Sequence, residues 1–349
     1  MGRFAALPES RLASTAFRPP AGLANSHAQS ILASFPLRKR GIARQAATLT
    51  SSSVPQILTS AHGVRLLGFY SQAPSRSRGL AVLLHGWEGS AQSHYLLSTA
   101  VTLQDAGLDI FRLNFRDHGS TQHLNEGLFH SCRIDEVVDA IKSIQDHYAA
   151  RPLFLVGWSL GGNFALRVAV RARRSGINLT KVVAICPVIR PHSTMKALET
   201  GLWAYRHYYL RKWRRSLAAK EALYPDTYQL GDLRRLPTLT ATTEFFVDRY
   251  TELPDLDSYL AGYALTGPLL SELPVPARLI ATADDPIIPI GDLDDVYSSE
   301  LLDVTVTARG GHCAFLVDYR LSSWVDGEIL RALVDSEANF PAPPAAPRI

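Results

Sequence analysis

The stretch PLFLVGWSLGGNFALRVAV, residues 152–170, decides the fold. It begins with four consecutive apolar residues, which are typical of a short strand that is buried on both faces of a parallel sheet. Apolar residues then recur at the spacing of one helix face, at Ala165, Val168, Ala169 and Ala172. The pattern predicts a strand that turns directly into a helix, and the turn between them is a G-x-S-x-G sequence centred on Ser159.

Ser159 is the candidate nucleophile because of this turn. A strand that becomes a helix in one tight turn forces the residue at its apex into a strained backbone conformation. Gly157 and Gly161 remove the Cβ atoms that would collide there. The strain lifts the serine hydroxyl clear of the sheet, where a base and a substrate carbonyl can reach it. A glycine-rich turn with an incidental serine is the alternative, and the strand before and the helix after argue against it.

The composition predicts an ordinary globular protein. Of 349 residues, 46% are apolar and 19% are charged, which is far from the composition of a disordered chain. The net charge of +4 reflects 36 basic and 32 acidic residues, so the excess is slight. With no recognisable RNA- or DNA-binding module either, nucleic acid is not expected as a partner.

The cysteines and the N-terminus give further expectations. Cys132, Cys186 and Cys313 are odd in number and widely spaced, which argues against a disulfide framework and against a zinc site. The first 20 residues lack the apolar core of a secretory signal, and no run of 18 apolar residues could span a bilayer. We therefore predict a cytoplasmic protein without a bound metal.

Strand and helix patterns alternate along most of the chain, which predicts an α/β fold with a mostly parallel central sheet. The predicted strands cover residues 79–85, 109–114, 153–156, 182–186, 277–283 and 302–307, with an antiparallel edge within 46–70. The predicted flanking helices cover residues 93–106, 131–149 and 318–334.

The alternation stops between residues 191 and 268, which contain helical and loop-like pieces and no buried strand pattern. We interpret this region as a cap inserted over the sheet. The core then comprises 44–190 and 269–336, preceded by an irregular arm at 1–43 and followed by a proline-rich, disordered tail at 337–349.

Serine catalysis also needs a base and a group that orients the base. His312 follows two glycines after the last strand and is the candidate base. Asp284 and Asp285 both follow the preceding strand, at the sheet edge where ligands bind in open α/β folds. The spacing favours Asp285 as the orienting acid, because the two isoleucines after it can return the chain to the core, and Asp284 is the alternative.

The oxyanion of such a reaction is stabilised best by backbone amides, whose dipoles are fixed before charge develops. The amide of Leu160 follows the nucleophile at a helix N-terminus, and the amide of Trp87 follows the His85-Gly86 strand end. A structural role is favoured for Arg116, which ends the next strand. Asp117, His118, His123 and His130 lie in one loop, without the spacing of a known metal site.

Several of these motifs resemble the α/β-hydrolase superfamily, in particular its YheT-like, abhydrolase-domain esterase branch. The branch's Asn-x-His-x-Gln-Thr element is matched by Asn25, His27 and Gln29, with Ser30 in place of Thr. Its His-Gly-Leu-Glu-Gly-Ser element corresponds to residues 85–90, and its elbow, Asp-Asp-Pro and Gly-Gly-His elements match at Ser159, Asp285 and His312. Its Asn-x-Arg-Gly segment departs here, with Asp117 in the place of glycine.

The resemblance implies hydrolysis of a carboxylic ester by a cofactor-independent serine hydrolase, with a small-molecule ester as substrate. Acyl transfer or thioester cleavage on the same triad is an alternative, as is a non-catalytic binding protein of the same fold. As His312 would be the base, activity is expected to fall at acid pH as the imidazole protonates, near its pKa in the free enzyme, whose unperturbed value is about 6.5.

The cap contains a helical pattern over 202–217 with a possible role in substrate binding. One arc of the helical wheel carries Trp203, Leu210, Trp213 and Leu217, and basic residues occupy most of the other. Such a helix most often packs its apolar arc on the core. The alternative is that the arc receives an apolar acyl chain and the basic side meets an anionic head group or a membrane surface. Trp158, next to the nucleophile, and Trp213 are the candidate substrate contacts.

Overall fold

The computed structural model describes residues 17–148, 152–297 and 299–334. Its centre is one eight-stranded sheet in the order β1-β2-β4-β3-β5-β6-β7-β8. The strands are β1 (Val54–Thr59), β2 (Arg65–Ser71), β3 (Leu80–Leu84), β4 (Asp109–Leu113), β5 (Leu153–Trp158), β6 (Leu179–Ile185), β7 (Ala277–Thr282) and β8 (Leu302–Thr307). The β1–β2 and β2–β4 pairs are antiparallel and the other five pairs are parallel, so the sheet is mostly parallel with an antiparallel edge, as the sequence predicted.

Helices cover both faces of the sheet and its carboxyl edge. They are α1 (Ser26–Ala33), α2 (Pro36–Gln45), α3 (Ala47–Ser51), α4 (His94–Asp105), α5 (Ile134–His147), α6 (Leu160–Ala172), α7 (Pro191–Thr200), α8 (Trp203–Leu223), α9 (Leu239–Tyr250), α10 (Leu256–Ala261) and α11 (Trp324–Val334). Short 3₁₀ helices occur at Leu233–Arg235, Pro268–Glu272 and Ile290–Asp295. Within the described ranges, no helix combines the length and the apolar character needed to cross a bilayer.

The central strands are buried on both faces, which explains their continuous apolar sequences. In β3 every residue is buried, and alternate side chains enter two different cores because successive residues of a strand point to opposite faces. Val82 and Leu84 join the core with α5 and α6, whereas Ala81 and Leu83 join the core with α4 and α11. This two-sided packing fixes the carboxyl edge of the sheet, where the loops of the site begin.

Residues 191–268 contain helices α7 to α10, and none of the strands β1 to β8 lies among them. Helix α8 packs its buried arc of Leu210, Trp213 and Leu217 into the same core as α5 and α6. Trp203 was expected on this arc and is instead 67% exposed. It is the first residue of α8, where no neighbouring element covers it.

The N-terminal region contains helices where an irregular arm and a strand were expected. Helices α1 and α2 occupy much of the arm, and its expected boundary at residue 43 falls inside α2. Residues 47–51 form α3 although Thr48 and Thr50 favour strands, because the helix buries Leu49 against the core. The final helix begins at Trp324 rather than at 318. The tail expected at 337–349 lies outside the described residues.

Candidate active site

The turn between β5 and α6 has the strained geometry that its sequence predicted. Ser159 has φ 52° and ψ −119°, in a region that a residue with a side chain rarely adopts. A Cβ on Gly157 would lie 2.1 Å from the carbonyl oxygen of Gly161, and one on Gly161 would lie 2.4 Å from that of His85. Only glycine fits at either position, so these two residues allow α6 to start directly behind the serine.

A line of hydrogen bonds connects Ser159, His312 and Asp285. His312 Nε2 lies 3.0 Å from Ser159 Oγ, and Nδ1 lies 2.8 Å from Asp285 Oδ2. Because an ionised carboxylate can only accept, Nδ1 carries the proton and Nε2 is left to accept one from the serine. The tautomer is therefore the one that a general base at Ser159 requires.

The two candidate acids have different partners. Asp285 Oδ1 accepts hydrogen bonds from the backbone amides of Ile287 and Ile288 at 2.8 and 3.0 Å, which leaves Oδ2 for His312. Asp284 Oδ1 instead accepts from the Gly311 amide, 3.0 Å away. Asp284 thus fixes the loop that carries His312, and Asp285 contacts the imidazole itself.

Two backbone amides are free to bind an oxyanion near Ser159. Among the described residues, neither the Leu160 nor the Trp87 amide has a hydrogen-bond partner. A Cβ on Gly86 would lie 3.3 Å from the Ser159 Cβ, so the turn that carries Trp87 passes close to the serine. The role of these two amides in binding an oxyanion stays a prediction.

Buried polar side chains hold that turn in place. The His85 ring donates from Nδ1 to the Gly86 carbonyl at 2.7 Å and accepts from the Phe115 amide at Nε2, at 3.2 Å. Burial lowers the pKa of His85 well below 6.5, which keeps the ring neutral for these roles. The Tyr95 hydroxyl accepts from the Gly86 amide at 2.9 Å. The sequence singled out His85 but gave no role to Tyr95.

The N-terminal Asn-x-His-x-Gln-Ser element supports the His312 loop, a role that the sequence did not reveal. Gln29 is fully buried, and its side chain bonds the Leu316 amide and carbonyl at 2.7 and 3.2 Å. Ser30 Oγ accepts from the His312 amide at 2.9 Å. His27 Nδ1 reaches the Tyr205 hydroxyl of α8 at 3.0 Å. This element therefore links the His312 loop to helix α8.

The turn after β4 is structural, as expected for Arg116. The Arg116 guanidinium pairs with the buried Glu136 carboxylate at 2.7 Å. Asp117 has φ 62°, the left-handed conformation that favours the glycine of the related motif, and its carboxylate pairs with buried Lys220 at 2.8 Å. His118 bonds the Arg116 carbonyl at 2.7 Å. Within the described ranges, the histidines of this loop do not meet Asp117 as a metal-ligand group.

Two cavities meet at Ser159. A cleft of about 1070 Å³ contains Ser159 and His312, and an apolar pocket of about 90 Å³ opens beside the serine. Trp213 lines the apolar pocket, where its ring lies 5.4 Å from that of Trp87. Trp158 is only 1% exposed and packs on Tyr95 at the wall of the cleft, which limits its direct contact with a ligand.

The structure also places Cys313 in the site, with its Sγ 3.8 Å from His312 Nε2. Cys186, which follows β6, lies beside it. The sequence gave no signal for this pair, because the two cysteines are 127 positions apart in the chain and meet only through the order of the strands.

The geometry and the sequence agree with a known class of proteins. Residues 81–320, more than half of the chain, match the family model described as the alpha/beta hydrolase family. The chain therefore belongs to the α/β-hydrolase family.

The chain is similar to two curated relatives that support the YheT-like resemblance. It is 23% identical over 329 residues to "Putative esterase slr0264" of Synechocystis, covering 86% of this chain and 88% of that protein. It is also 23% identical over 313 residues to "Putative esterase YheT" of Escherichia coli, covering 87% and 88% of the two chains. The predicted resemblance to this branch is confirmed.

A solved structure with a similar fold is the esterase Pf2001 of Pyrococcus furiosus. It aligns with a TM-score of 0.53 at 15% identity, over 84% of this chain and 95% of that one. At this identity the likeness concerns the fold alone.

Proposed function

We propose that the protein is a serine hydrolase that cleaves carboxylic esters through an acyl-enzyme intermediate. The observation that carries this proposal is the hydrogen-bonded line from Asp285 through His312 to Ser159, which opens into the cleft. The esterase names of the relatives support it.

In the proposed mechanism, Ser159 Oγ attacks the ester carbonyl while its proton passes to His312 Nε2. The Leu160 and Trp87 amides donate to the oxyanion, and Asp285 stabilises the imidazolium. His312 then gives the proton to the departing alcohol, which leaves the acyl group on Ser159. Water, deprotonated by His312, attacks the acyl-enzyme and releases the acid.

The apolar pocket is the proposed site of the acyl chain. It opens at Ser159, and its walls are aromatic and aliphatic, including Trp87, Phe129, Met195, Leu198, Trp213 and Phe246. Each methylene buried there is worth about 0.8 kcal/mol, or about fourfold in kcat/KM. We therefore expect kcat/KM to rise along a series of esters with lengthening acyl chains, until the pocket is full.

Trp213→Ala should flatten that rise while sparing acetate esters, because the substitution removes a wall of the pocket that only longer chains contact. Leu217→Ala is the matched control: Leu217 lies on the same buried arc of α8 but does not line the pocket. It should lower thermal stability and leave the chain-length dependence intact. An equal loss on all chain lengths in Trp213→Ala, or no loss, would assign Trp213 to packing alone.

The wide cleft is the proposed site of the alcohol part. Its lining includes Lys39, Lys212 and Arg215, which give the cleft a positive character. Lys212 donates to the Glu88 carbonyl, while burial raises the pKa of the Glu88 carboxyl to about 7 and so reduces its negative charge. We propose that the cleft accepts an alcohol with an anionic group, such as a phosphate or a carboxylate.

A panel of esters tests the proposal on the purified full-length protein. The acyl chain is varied at constant alcohol, and the alcohol is varied between neutral and anionic forms at constant acyl chain. Hydrolysis of the panel, with labelling of Ser159 by a fluorophosphonate probe, supports the proposal. Transfer of the acyl group to added alcohols in preference to water would identify a transferase, and preference for the matching thioesters a thioesterase. No labelling and no turnover would leave a binding protein of the same fold.

The pH dependence of the activity follows from His312. Burial alone lowers the pKa of its imidazole, but the charge of Asp285, together with the neighbouring Cys313 and the hydrogen bonds to both, more than offsets this effect and the pKa lies well above 6.5. The base works only when neutral, so activity should be lost as the pH falls through that pKa. The acid limb of kcat/KM should thus lie above pH 6.5, measured with an ester whose chemical step limits the rate. A limb at or below pH 6.5 would contradict this assignment.

A further inference from the structure

Two cysteines and the proposed catalytic histidine form a cluster at the carboxyl edge of the sheet. Cys186 follows β6 and is buried, whereas Cys313 directly follows His312 and lines the cleft. The two Sγ atoms and the imidazole nitrogen all lie within 4.8 Å of one another. Neither cysteine is in a disulfide.

We propose that Cys186, Cys313 and His312 form a binding site for a soft divalent cation such as Zn²⁺, and that the bound ion blocks the catalytic base. Two sulfur atoms and one imidazole nitrogen are a ligand set typical of zinc in proteins. The mechanism proposed above uses neither cysteine, so it does not account for this pair.

The separations suit tetrahedral coordination. With bonds to zinc of about 2.3 Å from sulfur and about 2.0 Å from nitrogen, neighbouring ligands in a tetrahedron are about 3.5 to 3.8 Å apart. Cys313 Sγ is already 3.8 Å from His312 Nε2. The remaining pairs, all within 4.8 Å, need to close by about 1.3 Å at most.

The surroundings of His312 also suit a metal ligand. Its Nδ1 donates to Asp285 at 2.8 Å, which leaves the lone pair of Nε2 free at the side of the ring where Ser159 Oγ and Cys313 Sγ lie 3.0 and 3.8 Å away. In zinc sites a ligating histidine commonly donates its other ring N–H to a carboxylate, which fixes the tautomer and makes the ligand more basic. The arrangement that prepares Nε2 to accept a proton therefore also prepares it to bind a cation.

The charge of the complex and the access from the cleft to the cluster also suit a bound zinc ion. On binding, each thiol releases one proton, so two thiols and one Zn²⁺ give a neutral bis-thiolate complex and two protons. The ion can enter from the cleft past Cys313. Ser159 Oγ, 3.0 Å from Nε2, or a water from the cleft can supply the fourth ligand. With Nε2 on the metal, the serine loses its proton acceptor.

Binding is measured on the reduced, metal-free full-length protein, by calorimetric titration with Zn²⁺ and by the ultraviolet charge-transfer absorption of Cd²⁺–thiolate bonds. One ion per chain is expected. Cys186→Ser and Cys313→Ser should each weaken binding by at least about 100-fold, the upper end of the loss seen when only a second-shell partner is removed. Cys132→Ser is the matched control, because the Cys132 thiol donates to the Tyr259 carbonyl and is not part of the cluster.

The blocking of the base rests on the proposed function, whereas the binding does not. Ser159→Ala should still bind Cd²⁺ with its thiolate absorption, even if no ester is ever turned over. In the wild type, ester hydrolysis should fall in proportion to Zn²⁺ bound and return on addition of a chelator.

The proposal is overturned if the wild type binds no ion, or if the Cys132 variant loses binding as much as the other two. It is also overturned if Cys186→Ser and Cys313→Ser bind like the wild type, once circular dichroism has shown that both variants are folded. Stoichiometric binding without loss of hydrolysis would overturn the blocking of the base.

Discussion

Ser159→Ala should abolish both ester hydrolysis and labelling by a fluorophosphonate probe, with a loss in kcat of roughly 10⁶, the scale seen when the nucleophile of a serine protease is removed. In the proposed mechanism, the strained backbone at φ 52° and the 3.0 Å contact with His312 Nε2 prepare this one hydroxyl for attack. Alanine removes the attacking atom and leaves the turn, the oxyanion amides and the cap as they are.

The matched control for this variant is Ser271→Ala. Ser271 is exposed, its hydroxyl donates only to the Pro268 carbonyl, and it lines neither cavity. Both variants should unfold close to the wild-type temperature, and only Ser159→Ala should be inactive. Hydrolysis by Ser159→Ala at near the wild-type rate would show that another residue is the nucleophile.

The parallel core could be predicted from the sequence because each of its strands carries its own signal. A strand buried on both faces, such as β3 or β5, requires a continuous apolar run, and no other arrangement buries such a run so completely. The loops that follow these strands then necessarily meet at one edge. For this reason the positions of Ser159, Asp285 and His312 could be anticipated without knowing any distance.

The N-terminal helices and the outward position of Trp203 could not be predicted in the same way. Helix α2 is rich in charged residues and buries only Arg38 and Ile42, so its apolar periodicity is weak. Trp203 satisfies the helical wheel of α8 but lies at its first residue. A periodic pattern predicts the direction of a side chain but not whether another element covers it.

The contacts around His312 show a second limit of the sequence. Ser30 and Cys186 reach the histidine or its loop from two separate segments of the chain, whereas Cys313 directly follows His312. No local pattern shows that these residues meet, because their meeting depends on the strand order and on how α1 packs against the loop. The sequence could propose a triad, but the residues that surround the triad required the structure.

Asp285→Asn should lower kcat by about 10⁴, the loss measured when the orienting aspartate of a serine protease is changed to asparagine. The asparagine amide can donate to Nδ1, which favours the tautomer with its proton on Nε2, where it cannot accept from Ser159. The same substitution removes the charge that raises the pKa of His312, so any residual activity should extend to lower pH.

Asp284→Asn is the matched control for Asp285→Asn, since it makes the same chemical change one residue away. Asparagine keeps an acceptor oxygen for the Gly311 amide, which Asp284 Oδ1 binds at 3.0 Å, so the loop that carries His312 should stay in place. We expect a loss in kcat well below that of Asp285→Asn and an unchanged acid limb. Steady-state kinetics of both variants across pH, with fluorophosphonate labelling rates, measure the difference. A larger loss in Asp284→Asn than in Asp285→Asn would exchange the two roles, because only the residue that orients the imidazole controls both the rate and the pKa of the base.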